Sequence, residues 1–183
     1  MARFEIINQN PSAKYYNVKV KATDFDASTT GLVSNGLVGK IGARLENNVY
    51  ELEKLAEQGD KVFFLTTPEV DVDEYNYKKN TLLYYMNEVD EVLDAAEIPT
   101  DRKFAISEDG IVGSIVDKKG YVYAKQGEVK LQYKQTLPDW STDKAILIAE
   151  IEEVIPAVQG MYVGAKGKNL AMSYNLVKCR VIA

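Results

Sequence analysis

Tyr16-Asn17-Val18-Lys19-Val20-Lys21-Ala22 sets apolar and polar residues in alternation. That is the pattern of a strand with one buried and one wet face, because successive side chains of an extended chain leave on opposite sides. The same period of two returns in Val129-Lys130-Leu131-Gln132-Tyr133-Lys134 and in Val177-Lys178-Cys179-Arg180-Val181. Between them lie shorter continuous apolar runs, Val62-Phe63-Phe64-Leu65, Ile111-Val112, Tyr121-Val122-Tyr123 and Ile146-Leu147-Ile148. Turn residues bound these runs: Gln58-Gly59-Asp60, Glu108-Asp109-Gly110, Asp117-Lys118-Lys119-Gly120 and Gln126-Gly127. Glycine there supplies the positive φ that tight hairpin connections need. Closely spaced strands and turns predict a mainly β chain, an antiparallel β-barrel or sandwich, and not alternating βαβ units.

Two stretches carry helical spacing instead. Leu82, Met86, Val89, Leu93 and Ala96 follow Asn80-Thr81 and stop at Ile98-Pro99, where proline disfavours continuation. Leu45, Val49, Leu52 and Leu55-Ala56 form a similar stripe ending at Gly59, a candidate C-cap. One or two short helices are therefore expected within the β framework. Residues 1–30 differ in kind: polar runs, Asn8-Gln9-Asn10-Pro11-Ser12 and Asp26-Ala27-Ser28-Thr29-Thr30-Gly31, surround a single alternating stretch. They are expected to form an extended N-terminal arm with one strand, able to reach a neighbour, and residues 31–183 a single β-rich domain.

The 183 residues are 46% apolar and 27% charged, enough to bury a core unaided. Cys179 is the only cysteine, which excludes an intrachain disulfide and a tetrathiolate zinc site and suits a reducing compartment. Met1-Ala2-Arg3-Phe4-Glu5 opens on no long apolar run, so neither a secretory signal nor a membrane span is expected. Net charge is −5 and unevenly placed: residues 51–97 hold 13 acids and 4 bases, whereas 1–50 and 98–183 each carry +2. Nucleic acid is a poor partner for such a chain, since phosphate binding needs clustered Lys and Arg. Residues 158–183 are the local exception, with Lys166, Lys168, Lys178 and Arg180 and no acid, which reads as a solvated face.

The chain has no histidine. Ser-His-Asp, Cys-His and zinc-water mechanisms each lose a required part, and no enzyme activity, cofactor or metal is expected. Cys179 falls on the apolar side of an alternating strand, where a thiol is an inert small hydrophobe. Asp71-Val72-Asp73-Glu74 presents carboxylates at alternate positions, but Tyr75 and Asn76 stand where a calcium loop needs its third ligand and its turn glycine. Gly164-Ala165-Lys166-Gly167-Lys168-Asn169 resembles a phosphate loop only in part: Tyr162 replaces the first glycine and Asn169 the magnesium-binding hydroxyl, so a basic hairpin tip is expected. A carboxylate pair distant in sequence, as glycoside hydrolysis uses, stays open as a third class of reading. The 12 tyrosines mark the candidate interaction residues, Tyr15, Tyr16, Tyr75, Tyr77, Tyr84 and Tyr85, because tyrosine is enriched where proteins meet.

Several segments read in order carry a resemblance. They are Asp60–Val70, Asp73-Glu74-Tyr75, Asn87-Glu88, Ile98–Ser107, Lys119-Gly120-Tyr121-Val122, Ala149–Glu153 and Leu176–Val181. Across residues 60–183 their order resembles virion structural proteins of tailed bacteriophages, of the head decoration or cement type. The resemblance implies a multimeric protein on the capsid, assembled in the host cytoplasm, partnered by the major capsid protein and neighbouring copies, with no catalytic residue. That family favours a strand where residues 82–96 read here as a helix. The alternative is a phage tail or receptor-binding module recognising glycans.

Overall fold

The computed structural model describes residues 4–7, 14–25, 30–67, 87–116, 118–163 and 168–183, with the side chains of 5–7, 157–163 and 168–173 left out. In chain order the strands are β1 (Phe4–Ile7), β2 (Lys14–Val20), β3 (Leu32–Val33), β4 (Val38–Arg44), β5 (Val49–Glu53), β6 (Phe63–Leu65) and β7 (Asn87–Glu88). They continue with β8 (Leu93–Glu97), β9 (Lys103–Ser107), β10 (Ile111–Val112), β11 (Tyr121–Lys125), β12 (Leu131–Lys134), helix α1 (Trp140–Asp143), β13 (Ala145–Val163) and β14 (Lys168–Val181). The chain is mainly β, and its centre is a closed barrel in the order β2-β5-β4-β6-β8. A seven-stranded sheet, β1-β9-β14-β13-β11-β12-β10, and a small β3-β7 ribbon complete the architecture. Pairing is antiparallel except between β2 and β5 and between β10 and β12.

Strand β6 explains how barrel and sheet are joined. Phe63 and Leu65 pack with Val18, Leu52 and Leu93 inside the barrel, while Phe64 belongs to the larger core beneath the sheet. A strand buried on both faces needs a continuous apolar run, and Val62-Phe63-Phe64-Leu65 is one. Phe64 stacks on Phe4 of β1 at 5.0 Å between ring centroids and tilts against Phe104 of β9 at 5.1 Å. The alternating segments behave as their pattern predicts: Val18 and Val20 are buried, as are Val177, Cys179 and Val181.

Both expected helices are corrected by the strands the barrel requires. Residues 93–97 form β8, which pairs with β6 on one side and β2 on the other and closes the barrel. Leu93 and Ala95 are consequently buried inside it, and ladder bonds on both edges override a five-residue helical stripe. Residues 82–86 of that stripe lie outside the described residues. In the second stretch Val49–Glu53 is β5, not helix, and the signal passed over is Asn47-Asn48. Both asparagines adopt the left-handed region, at φ 57 and 60, as the paired central residues of a tight hairpin turn must. The helix present, α1, starts elsewhere, where the Asp139 side chain accepts from Thr142 N at 2.7 Å.

The described part of the first 30 residues holds two strands where one was expected, and both pair within the chain: β1 with β9 in the sheet, β2 with β5 and β8 in the barrel. Phe4, Val18 and Val20 are buried there.

The two longest strands among the described residues lie at the other end of the chain. Strands β13 and β14 pair from Ala149↔Val181 to Val163↔Lys168. However, β11 accompanies β13 only as far as Glu150, and β9 accompanies β14 only from Leu176. Beyond those points the two strands continue as a ribbon with no third strand among the described residues. At its base the outward face carries the ion pairs Glu150–Arg180 (3.2 Å) and Glu153–Lys178 (3.1 Å). Past Ile155↔Leu176 the same register face takes Ala157, Met161 and Val163 opposite Tyr174, Leu170 and Lys168, with Gln159 opposite Met172. The opposite register face, continuous with the core at Val154 and Val177, takes Pro156, Val158, Gly160 and Tyr162 opposite Asn175, Ser173, Ala171 and Asn169.

Candidate functional site

Strand β2 sends Tyr15 and Tyr16 to opposite sides. Tyr15 is 53% exposed, whereas Tyr16 is half-buried and meets Tyr50 and Phe63 edge-on at 5.4 and 5.3 Å. Three rings thereby support one another, each pair adding about 0.5–1.5 kcal/mol beyond its burial. Tyr75, Tyr77, Tyr84 and Tyr85 lie outside the described residues, as do Asp71, Asp73 and Glu74. Of the glycine- and lysine-rich segment, Lys168 and Asn169 open β14, and Val163↔Lys168 is the register pair flanking residues 164–167.

Tyr16 and Phe63 form the aromatic part of a shallow cleft of about 420 Å³ at the side of the barrel. Its remaining wall comes from Lys40, Ile41 and Gly42 of β4, Glu53 at the end of β5, and the Gly59-Asp60-Lys61 turn. Two glycines shape the β4 wall. A Cβ on Gly39 stands 2.6 Å from the Glu53 carbonyl oxygen, and one on Gly42 stands 2.6 Å from the Glu53 carboxyl carbon. Their absence lets β5 lie close and Glu53 fold across β4.

Charges in the cleft are engaged. Asp60 accepts from the backbone N–H groups of Ala56 (2.6 Å) and Glu57 (2.8 Å), and Lys40 Nζ lies 3.6 Å away. Burial opposes ionisation of Asp60, but these two N–H donors and the Lys40 ammonium outweigh it and hold the carboxyl below the ordinary carboxylate value. Lys61 pairs with Glu97 at 3.3 Å, and Lys21 with Glu53 at 3.5 Å. The cleft thus sets the half-buried Tyr16 ring beside charges that are already paired within the chain.

A second charged cluster surrounds α1. Lys134 Nζ bonds Asp143 at 2.6 Å, and Asp139 is bonded by Ser141 Oγ and Thr142 N. These bonds hold both carboxyls below their ordinary values, the direction of a stable carboxylate and the reverse of a general acid. Burial pushes the Cys179 thiol far above its ordinary value, helped by the nearby Glu152, so it stays protonated and inert. Among the described residues no group of three or more carboxylate or thiol side chains is placed to hold a metal ion, and no helix is long and apolar enough to cross a membrane.

Sequence reasoning found Tyr16 by residue type. It missed Lys40, Glu53 and Asp60, which reach one cleft only because β4, β5 and the following turn are neighbours in the barrel. It also missed the β13–β14 ribbon, whose available signal was a charge-free run from Val154 to Val163. No family model, no curated protein and no solved structure matches the chain.

Proposed function

We propose that this chain is a structural protein of a tailed-bacteriophage virion, of the head decoration type, binding the major capsid protein and neighbouring copies over area without turnover. The observation that carries this reading is the β13–β14 ribbon, which past Ile155↔Leu176 runs on with no third strand beside it among the described residues. A two-stranded ribbon is marginal alone in water, and burial against another surface is what stabilises it. Exposed Tyr15, Val92 and Leu137 add apolar surface on the body. Acidity favours the outer side of a shell, because packaged nucleic acid repels a chain of net charge −5. Co-sedimentation of the purified chain with empty heads at physiological salt tests the reading. Saturable pelleting supports it, and a chain that stays in the supernatant at every ratio removes it.

The cleft at Tyr16 favours a second reading, a tail module that binds glycans. Aromatic edges beside paired charges suit the mixed apolar and hydroxyl faces of a sugar ring. Calorimetric titration with host-surface oligosaccharides decides it: heat lost in Tyr16→Ala supports the module, and no heat in the unaltered protein excludes it.

A further inference from the structure

We infer that Asn35 is a spontaneous deamidation site that the native fold holds closed, and that its conversion after local opening keeps the β3–β7 corner from closing again. The site is independent of what the chain binds. Asn35-Gly36 is the only Asn-Gly pair in the sequence. Such a pair is the reactive kind, because glycine has no Cβ to shield its backbone nitrogen or to restrict its approach to the asparagine side chain. In the reaction the Gly36 nitrogen gives its proton to hydroxide and attacks Asn35 Cγ. A C–N bond forms, the bond to the side-chain nitrogen breaks, and that nitrogen takes a proton from water and leaves as ammonia. Water then opens the cyclic imide at either carbonyl, giving aspartate or isoaspartate.

Each reacting group is engaged elsewhere in the fold. Gly36 N–H donates to Leu65 O at 2.8 Å, so the attacking nitrogen keeps its proton in a bond to β6. The Asn35 amide is pinned at both atoms: Nδ2 donates to Thr67 O at 2.8 Å, and Oδ1 accepts from Asn87 Nδ2 at 3.0 Å. Asn35 is 4% exposed and Asn87 1%, which keeps hydroxide and water from the carbonyl. Gly36 sits at φ +82, and a Cβ there stands 2.9 Å from Ile106 Cδ1 and 3.3 Å from Phe4 Cβ, so turn and core both require glycine. A reactive pair is thus kept where packing and hydrogen bonding demand it. The cover over it is slight. Strands β3 and β7 are two residues long and pair only with each other among the described residues, so this corner opens more readily than the closed barrel. Conversion spoils the fit. A carboxylate still accepts from Asn87 Nδ2 but has no N–H for Thr67 O, and it sets oxygen against that carbonyl in a buried site. Asn87 Oδ1 already lies buried without a hydrogen-bond donor, so the corner is short of donors before the charge is added. Isoaspartate lengthens the main chain by one carbon beside a glycine that has no room for a methyl.

The test incubates the purified chain in mildly alkaline buffer, native and in urea. Intact mass follows the conversion, and peptide mapping separates position 35 from Asp109-Gly110, a pair that forms the same imide without a change of mass. Asn35 is expected to convert at least about tenfold more slowly in the native protein than in urea, because attack waits on opening. The converted chain, returned to native buffer, is expected to unfold at a lower urea midpoint than chain held as long in mildly acidic urea, where hydroxide is scarce. Asn87→Ala frees Asn35 Oδ1 and is expected to speed conversion in native buffer several-fold. If circular dichroism shows that this variant does not fold, Asn35→Asp, which imitates one product, takes its place and is expected to lower the urea midpoint. Equal rates in native buffer and in urea, or no conversion in either, overturn the inference. So does a converted chain, or Asn35→Asp, that keeps the parent's midpoint, and so does a folded Asn87→Ala that converts no faster than the parent.

Discussion

Gly39 has no room for even one more carbon. Its Cβ position lies 2.6 Å from the backbone oxygen of Glu53 and 3.0 Å from Leu52 Cγ, so Gly39→Ala forces β4 and β5 apart in a closed barrel that cannot relax at an edge. We expect a loss of about 1–3 kcal/mol in urea unfolding, as for other overpacked cores, and an unchanged midpoint would show that the strands yield freely. Asp60 acts through its charge. Its folded pKa is depressed, so its contribution is complete above the unfolded carboxylate value of about 3.9 and fades as pH falls through the lower folded value. Asp60→Asn is therefore expected to be less stable than the unaltered chain at pH 7, with the gap narrowing on acidification. Urea midpoints of both proteins along an acid series measure this, and a gap independent of pH contradicts the assignment.

At the scale of the element, the ribbon differs from every strand that builds the core. Replacing residues 157–173 by a short turn removes pairs to which no third strand bonds among the described residues, and leaves β13 with β11 and β14 with β9. The shortened protein should melt within a few degrees of the parent; a collapse in melting temperature would mean that the ribbon packs on its own body. Removing residues 1–7 should instead lower the melting temperature sharply, since Phe4 is buried against Phe64 and Phe104. Elements with a wet face and a dry face were legible in the sequence, as Tyr16–Ala22 and Val177–Val181 illustrate, because alternation reports burial on one side directly. Leu45–Ala56 and Leu82–Ala96 misled, because a strand joined to a turn can place apolar residues at intervals of three and four. Asn47-Asn48 carried the correction locally, whereas the closing role of β8 is a property of the barrel and leaves no local mark. The cleft was illegible for the same reason: Tyr16, Lys40, Glu53 and Asp60 are neighbours only after β4 and β5 pair.

Barrel and sheet share the larger of two core clusters, the smaller lying inside the barrel. Val38, Leu55, Val62, Phe64 and Ile98 from the barrel region pack in the same cluster as Phe104, Ile106, Val122 and Val177 of the sheet. The Phe4, Phe64 and Phe104 rings sit at its centre, with centroids 5.0 to 5.6 Å apart. If that cluster couples the two sheets, neither unfolds alone, and unfolding is a single cooperative transition. Trp140 in α1 is the only tryptophan and reports on the sheet side, while amide exchange in β4 and β5 reports on the barrel. Phe64→Ala should cost about 3–5 kcal/mol, the range for deleting a buried phenylalanine. It should move both probes to the same lower midpoint, because the lost ring belongs to both sheets at once. Two separated midpoints in the variant would instead mean that barrel and sheet are independent units touching through one ring, and that the chain yields at the joint while each half stays folded.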